Sequence, residues 1–181
     1  MGLSADRLET ILEDGEFILC RSVDPRGPTV PGRSVLVVMP RSEHPWPQVV
    51  RMLEHEHALR EELDSAWAAR SLALTTSEGR VALVVEDPGG DLLASRAGTP
   101  MDVGRVLRVG AGLATALRQL HSRGLIHKDI KPAHVMTDWT TGRVWLRGFG
   151  ITSRVPRERR LPEPPAFIAG TLAYMAPEQT G

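Results

Sequence analysis

His127-Lys128-Asp129-Ile130-Lys131-Pro132-Ala133-His134 is the stretch on which the fold turns. Short apolar runs bracket it. Leu125-Ile126 lies before it and Val135-Met136-Thr137 after it, and both read as strands. A third run, Val144-Trp145-Leu146, pairs with the second through the turn residues Asp138 to Gly142. Ionisable side chains are therefore displayed on a loop between two short strands. Gly148-Phe149-Gly150 follows, and later Ala176-Pro177-Glu178.

Upstream, apolar positions Val103, Val106, Leu107, Leu113, Leu117 and Leu120 recur at helical spacing, predicting a helix from about Asp102 to His121 that Gly124 stops. Asp87-Pro88-Gly89-Gly90 breaks the pattern and reads as a hinge. The chain before it reads mostly as strands: Glu16 to Arg21, Ser34 to Met39, Ser71 to Thr75 and Arg80 to Val85. Asp24 to Pro28 supplies a turn, as does Glu78-Gly79. One helix interrupts the strands, from Gln48 to Leu63, introduced by Pro45 and Pro47. Residues 154 to 165 are rich in Arg and Pro and read as an exposed loop.

Composition narrows the class. The 181 residues suffice for one sizeable domain or a small two-lobed one. Formal net charge is zero, which argues against nucleic acid as a partner. Cys20 is the only cysteine, so no internal disulfide can form, and a cytoplasmic, reducing setting is expected. Arg105, Arg108 and Arg118 interrupt the most apolar run, so no membrane insertion is expected. Asp6 and Arg7 stand where a signal peptide would begin its apolar core, and Met1-Gly2 lacks the Ser or Thr at position 6 of a myristoylation start. Among the 22 basic residues only Lys128 and Lys131 are lysines.

In order and spacing, the three signals resemble the catalytic loop, metal-binding turn and activation-segment end of a serine/threonine protein kinase domain. More narrowly, the chain resembles the N-terminal kinase-like module of large bacterial signalling proteins that carry an ATPase region and a sensor histidine kinase. The resemblance covers about residue 10 to the end and is strongest at 125–136 and 170–178. It implies an α+β, two-lobed fold. The N-lobe would span 8–86, the hinge and linker 87–101, and a partial C-lobe 102–181. A truncated C-lobe is expected, with Leu113, Leu117, Ile126, Phe149 and Tyr174 left as an exposed apolar patch.

Residue by residue, the resemblance makes Asp129 the catalytic base, Lys131 the contact to the transferred phosphate, and Thr171 the hydroxyl that holds Asp129. It packs His127 against Phe149 and sets Lys128 where a phosphate-capturing Arg is usual. It assigns adenine to the backbone of Glu86, Asp87 and Pro88. The metal positions are substituted: His134 stands for an Asn and Gly148 for an Asp, so no metal site is expected and Mg²⁺ is in doubt. Val37-Val38-Met39 lacks the strand lysine, which leaves Glu56 without its mate. Ser22 to Gly27 does not supply a glycine-rich phosphate loop; Arg21, Arg26 and Arg33 are candidate substitutes. Weak ATP binding is therefore the expectation. A pseudokinase acting on protein partners or attached signalling domains is the first reading, and an active serine/threonine kinase the alternative.

Other patterns have blander readings. His55 and His57 do not share a helix face and read as solvated. His121, His127 and His134 lack partner cysteines for zinc. Gly110-Ala111-Gly112 sits inside the long helix, with no strand before it, and reads as packing. Arg157, Arg159 and Arg160 read as a solvated loop.

Overall fold

A computed structural model describes residues 8–23, 34–77, 79–155 and 170–177. The amino-terminal Met1-Gly2, Asp6 and Arg7, the turn at Asp24–Pro28, Arg26, Arg33, Glu78, Arg157, Arg159, Arg160, the rest of the run from 156 to 165 and Glu178 lie outside the described residues.

The upper lobe is an antiparallel sheet of β1 (Leu8–Asp14), β2 (Phe17–Val23), β3 (Ser34–Pro40), β4 (Ser71–Ser77) and β5 (Arg80–Glu86), in the order β1-β2-β3-β5-β4. Every residue of β3 from Val35 to Pro40 is buried, as a continuous apolar run covered on both faces should be. The sequence reading missed β1 altogether. Glu9, Glu13 and Asp14 charge the strand, and a bulge between Thr10 and Leu12 breaks its two-residue period. Asp14 pairs with Phe17, so β1 and β2 are joined by only Gly15 and Glu16. Gly15 has φ +57°, the glycine-first pattern of a type II′ hairpin turn.

Helix α1 (Pro47–Ala58) has proline at its first turn, where the missing N–H costs no hydrogen bond. It ends five residues before the predicted Leu63. Leu59 and Leu63 misled the periodicity: both are buried, but in the turn and irregular chain after the helix, which drop them into the lower lobe's core.

The lower lobe is built on α2 (Val103–Ser122). Asp102 caps it by accepting a bond from the Arg105 amide at 3.0 Å, and Gly124, φ +71°, follows its end. β6 (Asp91–Leu92), β8 (Val135–Thr137) and β9 (Val144–Leu146) form one small sheet; β7 (Leu125–Ile126) pairs with β10 (Ser153–Arg154) in another. The stretch 87–101 therefore does more than link. Its β6 residues Asp91 and Leu92 pair with Thr137 and Met136. Gly112 lies inside α2 where a Cβ would come within 2.8 Å of the Gly142 carbonyl oxygen, so it is a packing glycine.

Two cores result. Trp67, Leu120, Leu125, Leu146 and Phe149 centre the lower one. The upper one joins Leu36, Leu53 and Leu83 to Leu92, Met136 and Trp145 from below, so apolar packing is continuous between the lobes. The expected apolar patch is only partly present. Phe149 is fully buried and Leu113 and Leu117 pack on the lower core, whereas Ile126 and Tyr174 are exposed. Among the described residues no helix is long and apolar enough to cross a membrane.

Candidate functional site

The loop after β7 begins with two conformational commitments. Lys128 has φ +69°, the one positive value at a non-glycine among the described residues, and a strained backbone of this kind clusters at functional sites. His127 is buried. Its Nδ1 accepts from the Asp129 amide at 3.3 Å, which leaves Nε2–H to donate to the Arg147 carbonyl at 2.9 Å. Burial pushes its pKa down to about 4, despite the favourable backbone bond and the nearby Asp129 carboxylate, so the ring is neutral. Its centroid lies 4.9 Å from that of Phe149, which in turn meets Trp67 edge-on.

These contacts set Asp129 at the cleft floor. Its Oδ1 accepts from both the amide of Thr171, at 2.9 Å, and the hydroxyl, at 2.7 Å. Lys131 Nζ donates to the same hydroxyl at 2.9 Å and lies 3.4 Å from Asp129 Oδ2. Asp129, Lys131 and Thr171 thus form one closed unit, which joins chain segments some 40 residues apart.

His134 and Gly148 meet directly. His134 Nδ1–H donates to the Asp129 carbonyl at 2.8 Å. A Cβ built on Gly148 would sit 2.7 Å from the ring's Cδ2 and Nε2. The imidazole therefore fills the volume that a metal-binding side chain at 148 would need. With one position occupied by a ring and the other bare, the residues do not fit a pair of oxygen-ligated Mg²⁺ ions. Burial, followed by the positive fields of Arg147 and His127, pushes His134 well below the ordinary imidazole value. Its centroid is 5.8 Å from that of His127, but His121 is exposed on α2, and among the described residues no three or more His, Cys, Asp or Glu side chains converge as a metal site would need.

Glu56 of α1 is buried without a lysine. Its carboxyl accepts from the amides of Gly148 and Phe149, and the Arg147 guanidinium adds electrostatic attraction. Burial still dominates and pushes it above the ordinary carboxylate value. Arg147 is equally buried. Its Nη1 donates to the Ala133 carbonyl at 3.0 Å, and its Nε has no partner. Burial lowers its pKa, against the pull of Glu56 and then Asp14. Helix α1 is tied to the segment beyond Phe149 at further points. His55 Nε2 meets the Thr152 carbonyl at 2.7 Å, and Arg154 pairs with Glu62 just past the helix. His57 meets Ser71 Oγ at 2.8 Å, so neither histidine is merely solvated.

The hinge residues lie elsewhere. Glu86 accepts from Ser65 and Arg70, which together outweigh its burial and hold it below the ordinary carboxylate range. Its amide donates to the Arg70 carbonyl. The Asp87 carboxylate is almost fully buried and receives Arg21 Nε at 2.8 Å, Ser34 Oγ at 2.6 Å and the Gly89 amide at 3.0 Å. Arg21 thus holds the hinge. A cleft of roughly 1090 Å³ opens between the β1–β2 turn, α1 and the Asp129 loop. Its lining includes Asp14, Glu56, Asp129, Lys131, His134 and Arg147, but neither Glu86, Asp87 and Pro88 nor the packed Leu36 and Met136.

Two site residues escaped sequence reasoning. Asp14 reaches down from the hairpin tip, its Oδ2 2.6 Å from Lys131 Nζ. The Gly15–Glu16 turn thus occupies the place for which Ser22–Gly27 was considered, and Asp14-Gly15 is a hairpin dipeptide that could have shown it. Nothing in the sequence distinguishes Arg147 from the other arginines.

Comparison with known proteins agrees with this architecture. Residues 39–181 match the model of the protein kinase domain. The chain is 34% identical over 102 residues to the serine/threonine-protein kinase Pkn1 of Myxococcus xanthus, an alignment covering 54% of this chain and 14% of that protein. It is 35% identical over 133 residues to CBL-interacting protein kinase 4 of Oryza sativa subsp. japonica, covering 71% of this chain and 27% of that protein. A match to the citron rho-interacting kinase of Rattus norvegicus, 30% identical over 135 residues, covers 71% of this chain and 6% of that protein. The chain thus spans about a quarter or less of the length of these relatives. With a matching domain model over most of its length, a β-sheet lobe above a helical one, and Asp129, Lys131 and Thr171 joined at their junction, the chain belongs to the protein kinase domain family.

Proposed function

We propose that the chain is a pseudokinase-like regulatory module of the serine/threonine kinase type, with weak or no phosphotransfer. It would transmit a conformational state to protein partners or attached signalling domains in the cytoplasm. The finer likeness to kinase-like modules joined to an ATPase region and a sensor histidine kinase belongs to the same proposal. The carrying observation is the His134 ring against Gly148, which closes the metal-binding turn from the inside. The position of Glu56 supports it. Where α1 would depend on a lysine it is held by backbone amides instead, so its docked position needs no nucleotide.

A second reading has its own observation. Asp129, Lys131 and Thr171 keep the geometry of a base, a phosphate contact and a positioning hydroxyl, as an active serine/threonine kinase using ATP requires. Incubation with radiolabelled ATP, Mg²⁺ and a generic Ser/Thr substrate separates the two. Incorporation at background, unchanged in Asp129→Asn, is expected. Transfer that disappears in Asp129→Asn would establish the active kinase.

A further inference from the structure

The β1–β2 hairpin is the least anchored part of the upper lobe. β1 lies at the edge of its sheet, none of its seven residues is buried, and the bulge between Thr10 and Leu12 interrupts its ladder to β2. Behind the hairpin the lobes are stapled. Leu36 and Leu53 share one core with Leu92, Met136 and Trp145, and Glu56 holds α1 to the amides of Gly148 and Phe149. The lobes cannot swing apart without breaking that core, so the hairpin is the element with room to move. Its tip is nevertheless tied to the floor of the cleft, with Asp14 Oδ2 2.6 Å from Lys131 Nζ. We propose that the hairpin is a gate over the cleft and that the Asp14–Lys131 ion pair is its latch, supplied by the chain itself. The inference deepens the regulatory reading by giving its conformational state a moving part, and it rests on that reading for its purpose.

Three observations carry it. The first is position. Asp14, Gly15 and Glu16 line the cleft from above and Asp129 and Lys131 from below, so lifting the tip widens the mouth of the same cavity. The second is that the closed state completes the floor. The Lys131 ammonium donates to the Thr171 hydroxyl and lies 3.4 Å from Asp129 Oδ2, and Asp14 takes the remaining donor direction without displacing either. The third is that the tie is a single charged bond. His134 Nε2 is 3.8 Å from the same Asp14 oxygen, but burial keeps that ring neutral and it adds no attraction of charge. The Arg41–Glu13 pair beside the tip stays within the upper lobe and does not cross the cleft. One ion pair is strong enough to hold a two-residue turn and weak enough to release it. The Asp14 side chain keeps 30% of its surface in solvent against 10% for Lys131, so dissolved ions reach one end of the latch and can weaken it.

Hydrogen exchange, read by mass spectrometry on the full chain, tests the latch. In peptides covering β1 and the Gly15–Glu16 turn, exchange should quicken about tenfold in Asp14→Asn and in Lys131→Met. In the native chain it should quicken several-fold between about 0.05 and about 1 M NaCl, while both variants should be insensitive to salt. The double variant should exchange no faster than either single one, because each removes the same bond. β3 and β5 should keep their native rates throughout, which separates a latch from a general loss of stability. Native hairpin rates in both variants, salt-independent exchange in the native chain, or equal quickening in β3 and β5 would each overturn the proposal. Phosphotransfer is a separate readout. Background transfer without a latch would sink the gate and spare the regulatory reading, whereas transfer that needs Asp129 in a latched chain would leave the gate standing on an active enzyme.

Discussion

His134 and Gly148 are sterically exclusive: the ring of one occupies the space of any side chain on the other. Gly148 also has φ +77°, where a Cβ is strained in its own right. Restoring an acid at 148 is therefore not a simple reversion. Gly148→Asp should destabilise the chain by about 2 kcal/mol. Adding His134→Asn should recover the overlap part, so the pair costs about 1 kcal/mol less than the sum of the single changes. Urea melts of the four proteins measure this; strict additivity would mean that the ring yields freely.

Glu56 should act as the latch of α1. Glu56→Gln leaves Arg147 buried with less counter-charge and gives the amides of Gly148 and Phe149 a weaker acceptor. A cost of about 2 to 3 kcal/mol is expected. Hydrogen exchange should quicken along α1 while β2, β3 and β5 stay protected. Uniform quickening everywhere would argue that Glu56 contributes only to global stability.

Asp87 should matter for the fold and not for ligands. Three donors converge on its buried carboxylate. Asp87→Ala strands Arg21 and Ser34 and should cost about 3 kcal/mol. Urea melts measure this, and an unchanged midpoint would mean that the carboxylate does not hold Arg21 and Ser34 together.

Acid should destabilise the molecule through its histidines. His127 titrates near 4 when folded against an ordinary value of 6.5, so between those pH values the unfolded chain binds more protons. Its contribution, roughly 3 kcal/mol, is present above the ordinary value and is lost as pH falls towards 4. His134 acts in the same direction. Glu56, shifted upward, opposes them, since its contribution is lost as pH rises above the ordinary value of 4.5. With two imidazoles against one carboxyl, urea midpoints should fall between about pH 7.5 and about pH 5. Equal midpoints would place one of the rings in water.

How much of this was legible depends on the range of the signal. The helix from 102 to 121 and the strands around Asp129 announce themselves by local periodicity, and the structure moves their limits by a residue at most. Asp129, Lys131, Thr171, His134 and Gly148 could be named because motif order carries them. β1 could not, because Glu9, Glu13 and Asp14 charge it and its bulge scrambles the alternation. Arg147 and Asp14 owe their roles to what they meet across the fold. An arginine between Leu146 and Gly148 carries no local mark of being buried within the field of Glu56. The hinge shows the converse. Position assigns only the backbone of Asp87 to adenine and is silent on its side chain, whose partners Arg21 and Ser34 are brought near by the paired strands alone.

The bulge at Ile11 has a consequence for how this hairpin can tolerate changes in length. Because Ile11 is the unpaired residue, Ile11 and Leu12 both reach the apolar layer beneath the sheet, and the side-chain phase resets before Asp14. An insertion at the bulge would lengthen an existing irregularity and leave the tip unchanged. One extra residue between Leu12 and Asp14 would reverse the phase, turn the carboxylate to the opposite face and leave Lys131 to Thr171 and Asp129 alone. Three positions at the end of one strand thus act as a ruler, and drift in their number would rewire the cleft without altering a residue on its floor.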